Sequence, residues 1–298
     1  MSDNTGEQHD VQRIGVVGAG TMGAGIAQVM AHAGIAVTLV DQTDAFLAKG
    51  LSTITSGLDR LVAKGRIDAT ERDAVLARIA TSTATSDLAG VDLAIEVVPE
   101  RFEIKRDVVR GIADAVGQDA IIASNTSSIS ITALAALVER PERVIGMHFF
   151  NPVPVLALVE VIRGLQTDDE TVARTMALAT RIGKTPVEVA DAPGFVANRL
   201  LLPMINEAVF ALAEGVASAE DIDTVMKLGA AHPMGPLALA DLIGLDVCLG
   251  IMDVLQTQFG DDKYRPAPLL RQMVAAGRLG RKSGRGFHDY TRKEGGSV

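Results

Sequence analysis

A chain of 298 residues, 48% hydrophobic and 22% charged, is long enough to bury a full core, has room for two domains, and is too apolar to be disordered. Its formal net charge of −9 argues against a dominant basic surface, and so against nucleic acid or an anionic membrane as the main partner. The single cysteine, Cys248, excludes an intrachain disulfide; with a polar, acidic opening in place of a leader, it points to a cytoplasmic protein.

Residues 1–11 are expected to be a polar tail. "RIGVVGAG" then reads as a short buried strand ending in glycines, "TMGAGIAQVMAHAG" as a helix and "IAVTLVD" as the next strand, together one βαβ unit with parallel strands. Residues 44–80 read as a helical excursion of two helices joined at "KGRID", with Asp68 or Thr70 as N-cap of the second. Strands resume at "VDLAIEVVP", "AIIASNTSS", "RVIGMHFF", "VLALVEVIR" and "KTPVEVAD", with helices at 101–116, 130–138 and 168–182. Such alternation predicts an α/β fold, a Rossmann-like doubly wound and mostly parallel sheet with helices on both faces. Beyond Gly194 the apolar spacing predicts helices only, at 195–213, 219–229, 237–259 and 267–276. The expected domains are therefore 12–193 and an all-helical 194–298, divided at the "DAPG" turn.

Gly18, Gly20 and Gly23 form G-x-G-x-x-G between a strand and a helix, and Asp41 ends the next strand about 20 residues on. The first glycine permits a tight turn, the second a close approach of backbone to a pyrophosphate, and the third contact between helix and strand. Thr21 and Met22 open the helix whose N–H groups face the phosphates. Asp41 is placed to accept from ribose hydroxyls and to repel a 2′-phosphate, which predicts NAD rather than NADP as cofactor.

"GMHFFNPVP" ends an apolar run on His148. In the following strand Glu160 is the only charge before Arg163, and a carboxylate in an apolar strand needs a partner. His148 and Glu160 are accordingly expected to pair, with Glu160 fixing the tautomer of a general acid/base. Phe149 and Phe150 read as packing around the ring, and Asn151, Asn198 and the "SNTSS" segment supply uncharged donors. His9, His32, His232 and His288 carry no such pattern, no metal-ligand spacing is present and no metal is expected. Cys248 reads as a small residue inside an apolar helix.

"GAGTMGAGIA", "ASNTSSISIT", "GMHFFNPVPVLALVEV", "PGFVANRLL", "DIDTVMKLGAAHPMGPLALADLIGLD" and "GRKSGRGFHDY" occur in the order and at the spacing of one family. The chain resembles the 3-hydroxyacyl-CoA dehydrogenases, nearest to their short bacterial 3-hydroxybutyryl-CoA type, from about residue 12 to 290. The resemblance implies NAD-dependent oxidation of an (S)-3-hydroxyacyl-CoA thioester to the 3-ketoacyl-CoA, or the reverse. It implies His148 as catalytic acid/base, Glu160 as its partner, and Ser127 and Asn198 as contacts to the substrate. Glu100, Lys105 and Asn125 would line the cofactor site with the glycine loop, with Asn151 close to the dyad. The helical domain would form a homodimer. Two positions depart from the family pattern, Pro99 where Glu is frequent and His288 where Tyr is frequent. The CoA phosphates need cations, for which Lys49, Arg60, Lys64 and Arg66 on the helical excursion are the candidates. Two other readings stay open, a dehydrogenase of free hydroxy acids on the same fold and a non-catalytic NAD-binding protein.

Overall fold

The computed structural model describes residues 10–291; most of the expected tail, His9 included, lies outside the described residues. The chain divides into two compact units, Met1–Ala192 and Pro193–Val298. In the first, β1 (Arg13–Val17), α1 (Thr21–His32) and β2 (Ala36–Val40) are followed by α2 (Asp44–Ala63), α3 (Ala69–Ala77) and β3 (Ile79–Ser82). Then come β4 (Leu93–Glu96), α4 (Phe102–Ala115), β5 (Ile121–Ser124), α5 (Ile131–Ala135) and β6 (Val144–Phe149), and finally β7 (Leu158–Arg163), α6 (Asp169–Arg181) and β8 (Thr185–Ala190).

One eight-stranded sheet runs in the order β3-β2-β1-β4-β5-β6-β7-β8. The first six strands in that order are parallel. β7 is antiparallel to β6 and parallel to β8, so the last two strands run the other way. The inner strands β4, β5 and β6 are buried along their whole length, as expected for apolar runs covered on both faces. Side-chain oxygens cap three of these helices: Thr43 accepts from Phe46 N on α2, Asp68 from Glu71 N on α3, and Asp168 from Thr171 N on α6.

Two local expectations need correction here. The helical excursion ends at Ala77, and β3 occupies the last part of what reads as helix. "IATS" is too short to show a period, and as a partly exposed edge strand it needs no continuous apolar run. Residues 155–157 are loop, and β7 begins only at Leu158.

The second unit holds α7 (Ala197–Ala213), α8 (Ala219–Gly229), α9 (Pro236–Ile243), α10 (Leu245–Phe259) and α11 (Pro268–Ala275), and no strand is assigned among its described residues. The expected single helix over 237–259 is two, because Gly244 adopts φ 106°. That conformation is open to glycine and ends α9 where the apolar periodicity continues. Leu202, Ile205, Val209, Leu237, Leu245, Met252, Leu255 and Leu270 form its core. Two buried acids tie the strand-free segments down. Asp223 accepts from Leu237 N (2.8 Å) and Ala238 N (2.9 Å), and Asp241 from Phe287 N and His288 N (both 2.9 Å).

Candidate active site

The turn between β1 and α1 shows why three glycines are needed. Gly18 has φ +114°, and a Cβ there would lie 2.6 Å from the Val97 carbonyl oxygen. A Cβ at Gly23 would lie 1.7 Å from the Gly18 oxygen, so any larger residue pushes α1 off the loop. At Gly20 a Cβ would meet no protein atom within 4 Å. Protein packing therefore demands Gly18 and Gly23, while the bare backbone at Gly20 suits the approach of a ligand. Gly20 is also the N-cap of α1, offers no side-chain cap, and is followed by no acid in the first turn. Thr21 and Met22 open a helix terminus with a positive dipole end, which fits a pyrophosphate. Asp41 closes the loop from β2: its Oδ2 accepts from Ala19 N and its Oδ1 from Gln42 N, both at 2.7 Å.

Three strands further along the same edge, β6 carries His148. The antiparallel register sets it directly opposite Glu160 on β7. The His148 Nδ1 lies 2.7 Å from Glu160 Oε2, and both side chains are buried. An ionised carboxylate only accepts, so Nδ1 carries the proton and Nε2 holds the lone pair of the neutral ring. The Phe150 ring tilts over the imidazole at 4.4 Å between centroids, whereas Phe149 points into the core at 2% exposure. Asn125, at the end of β5, accepts from Phe149 N at 2.9 Å and fixes the last residue of β6.

Between these two features lies a polar frame that sequence reasoning missed in part. Glu96 ends β4 fully buried and is met by Lys105 Nζ (2.8 Å), Ser124 Oγ (2.6 Å) and Val98 N (2.7 Å). Lys105 is 1% exposed, donates also to Val98 O, and lies 3.3 Å from Glu100 Oε2. Glu100 Oε1 in turn accepts from the backbone N–H groups of Ser127 (2.9 Å) and Ser128 (3.0 Å) and from the hydroxyls of Thr126 (2.5 Å), Ser127 (3.2 Å) and Ser128 (3.0 Å). Burial pushes the Glu100 carboxyl up, but the Lys105 charge and these donors outweigh it and hold the group below the usual carboxylate range. Glu100 and Lys105 are thus framing residues for the serine loop. The signal for Glu96 was the one that singled out Glu160, a lone carboxylate in an apolar strand, here with a lysine nine residues on.

The remaining candidates fall elsewhere. Asn151 is exposed in the turn after β6. Asn198 belongs to the second unit, in the first turn of α7, and is buried. Lys49, Arg60, Lys64 and Arg66 are all exposed, but they do not form one cluster. At 1.5 Å per residue, about 16 Å of α2 separates Lys49 from Arg60. His32 lies near Glu71 (3.7 Å), His232 is half-buried, and His288 Nε2 meets Asp223 Oδ2 at 2.7 Å, a pairing not read from the sequence. Cys248 is fully buried on α10, and burial pushes its thiol up to about 12, which leaves it inert as a nucleophile. Among the described residues no group of three or more His, Cys, Asp or Glu side chains is placed to hold a metal ion, and no helix is long and apolar enough to cross a membrane.

A family model described as "3-hydroxyacyl-CoA dehydrogenase, NAD binding domain" matches residues 13–192, and one described as "3-hydroxyacyl-CoA dehydrogenase, C-terminal domain" matches residues 194–290. A probable 3-hydroxybutyryl-CoA dehydrogenase of Deinococcus radiodurans is 54% identical over 279 residues, 93% of this chain and 100% of the relative. A 3-hydroxybutyryl-CoA dehydrogenase of Bradyrhizobium diazoefficiens is 50% identical over 280 residues, 94% of this chain and 96% of the relative. The crystal structure of an (S)-3-hydroxybutyryl-CoA dehydrogenase from Ralstonia eutropha matches with a TM-score of 0.93 at 55% identity, covering 95% of this chain and 100% of that one.

Proposed function

The chain belongs to the 3-hydroxyacyl-CoA dehydrogenase family, and from that premise we propose that it interconverts (S)-3-hydroxybutanoyl-CoA and acetoacetyl-CoA with a His148–Glu160 acid/base pair. The observation that carries the reading is the buried hydrogen bond between those two side chains on the sheet edge that also bears the glycine loop. From β1 to β6 is three strand spacings, about 14 Å, a span that the nicotinamide half of an extended dinucleotide bridges. When bound, NAD supplies the nicotinamide ring that takes a hydride from substrate C3.

In the oxidative direction His148 removes the 3-hydroxyl proton through Nε2 while C3 gives up its hydride, and the C3–O bond becomes a carbonyl. Glu160 holds the ring by Nδ1 and stabilises the imidazolium that forms. In reduction the imidazolium returns the proton to the new alkoxide. Ser127, whose backbone Glu100 presets, turns its hydroxyl from Glu100 to donate to the substrate oxygen, and Asn198 carries over as a second contact on motif position alone. Asp41 selects NAD, Asn151 borders the dyad, and the exposed cations Lys49, Arg60, Lys64 and Arg66 are the candidates for the CoA phosphates. The second unit exposes Leu200, Val216, Val225, Leu228 and Leu242, which supports homodimerisation through it and is tested by light scattering. The single, buried cysteine supports the reading of a cytoplasmic protein.

The decisive experiment compares acetoacetyl-CoA with free acetoacetate, each with NADH and NADPH. Turnover of the thioester with NADH is expected to exceed the other three combinations by at least about tenfold. Preference for the free acid, or no turnover with either, overturns the proposal.

A further inference from the structure

β7 and β8 run against the other six strands, so β8 begins on the edge where β6 ends. Lys184, the residue before β8, therefore enters the sheet beside the turn that follows the histidine strand. Its side chain is 9% exposed and pairs with no carboxylate among the described residues. The Nζ instead donates to two carbonyls of that turn, Val153 O at 2.5 Å and Leu156 O at 2.8 Å, while the next residue, Thr185, donates its N–H to Ala157 O at 2.7 Å. A buried ammonium without a counter-ion is costly, and burial lowers the Lys184 pKa. A stem of four methylenes ending in a methyl would fill the same volume without that cost, so the charge calls for an account beyond packing.

Two residues of the turn it grips matter. Phe150 begins it and lies over the His148 ring. Val153, 2% exposed, wedges against α1: a Cβ at Gly25 would come within 2.9 Å of the Val153 Cβ. The same few residues thus touch the imidazole and the helix whose N-terminus faces the cofactor pyrophosphate. Nothing regular holds them, since residues 150–157 lie between β6 and β7 and the turn's own bonds are only those of Val155 and Leu156 N–H to Pro152 O.

We propose that Lys184 is a positioning residue for the reaction, its buried ammonium clamping the 150–157 turn so that the His148 ring and helix α1 keep a fixed relation. The proposal rests on the dehydrogenase reading above, and the wild-type assay with acetoacetyl-CoA tests that reading separately. Lys184→Met and Lys184→Arg are to be compared with wild type in four measurements: kcat and KM, the primary isotope effect with C4-deuterated NADH, NADH binding by fluorescence, and thermal melting. K184M is expected to lower kcat at least about tenfold, to raise the isotope effect because hydride transfer becomes slower, and to change the acetoacetyl-CoA KM and NADH affinity less than about threefold. K184R, which keeps a charged donor, is expected to recover part of kcat. A K184M that melts earlier but keeps wild-type kcat and isotope effect while folded shows a structural role and overturns the proposal. If K184M does not fold, K184R decides: a flat guanidinium cannot repeat the tetrahedral contact with two carbonyls, so kcat about threefold below wild type with a raised isotope effect is expected, and wild-type values for both overturn it.

Discussion

Two strands of the same sheet place a glutamate where burial forbids a bare charge, and they resolve it differently. Glu96 on β4 meets the Lys105 ammonium, which only donates, and two further donors. Glu160 on β7 meets His148, an imidazole whose ring nitrogens can donate or accept. The first arrangement can only hold: its partners are saturated, and through Lys105 and Glu100 it sets the backbone of residues 126–128. In the acid/base role proposed above the second moves a proton, because the carboxylate that orients the ring also stabilises its charged form. Burial with a fixed counter-charge makes scaffold, and burial with a titratable one is the arrangement that acid/base work requires.

Three substitutions break or sharpen that contrast. Lys105→Met removes the cation that meets the buried Glu96, and breaking a buried pair in this way costs about 3–5 kcal/mol. Denaturant unfolding should show that loss; a change below about 1 kcal/mol would mean that the frame is dispensable. His148→Gln is expected to reduce kcat at least about 10²-fold, or about 2.7 kcal/mol of transition-state stabilisation, while NADH binding stays near wild type and the melting temperature shifts little. A loss of folding as large as that of Lys105→Met would make the histidine pair structural and erase the difference between the strands.

The smallest effect belongs to Glu100. Its carboxyl is held below the ordinary range in the folded chain, so the unfolded chain takes up the proton more readily. Its contribution to stability is full above the ordinary carboxylate pKa and is lost as pH falls through the lowered folded value. The melting-temperature gap between wild type and Glu100→Gln should therefore narrow from about pH 6 to about pH 3. A gap that stays constant on acidification would show that the serine loop does not depend on the carboxylate charge.

Much of this contrast is readable from residues. A single acid in an apolar strand signals a partner wherever it occurs, and the same rule that singles out Glu160 applies to Glu96. The glycine loop is legible because packing excludes side chains at Gly18 and Gly23, and such exclusion leaves no substitute residue. Less legible are β3, which lacks both length and burial, and the break at Gly244, where apolar residues continue on both sides of a backbone reversal. The Thr126–Ser128 contacts with Glu100 lie 26 to 28 residues apart in sequence and have no periodic signature at all.

By itself, then, the sequence determined the alternation of elements, the glycine turn with its acid, and the two residue types that make the buried pair. These follow from local rules, periodicity and the cost of burying charge, which act on a chain before it has a shape. Only the tertiary structure decided the partners: which lysine answers Glu96, that His288 meets Asp223, and that Lys184 reaches the carbonyls beside His148. The reversal of β7 and β8 brings Lys184 to that edge, and strand direction is a property of the sheet that no single strand encodes.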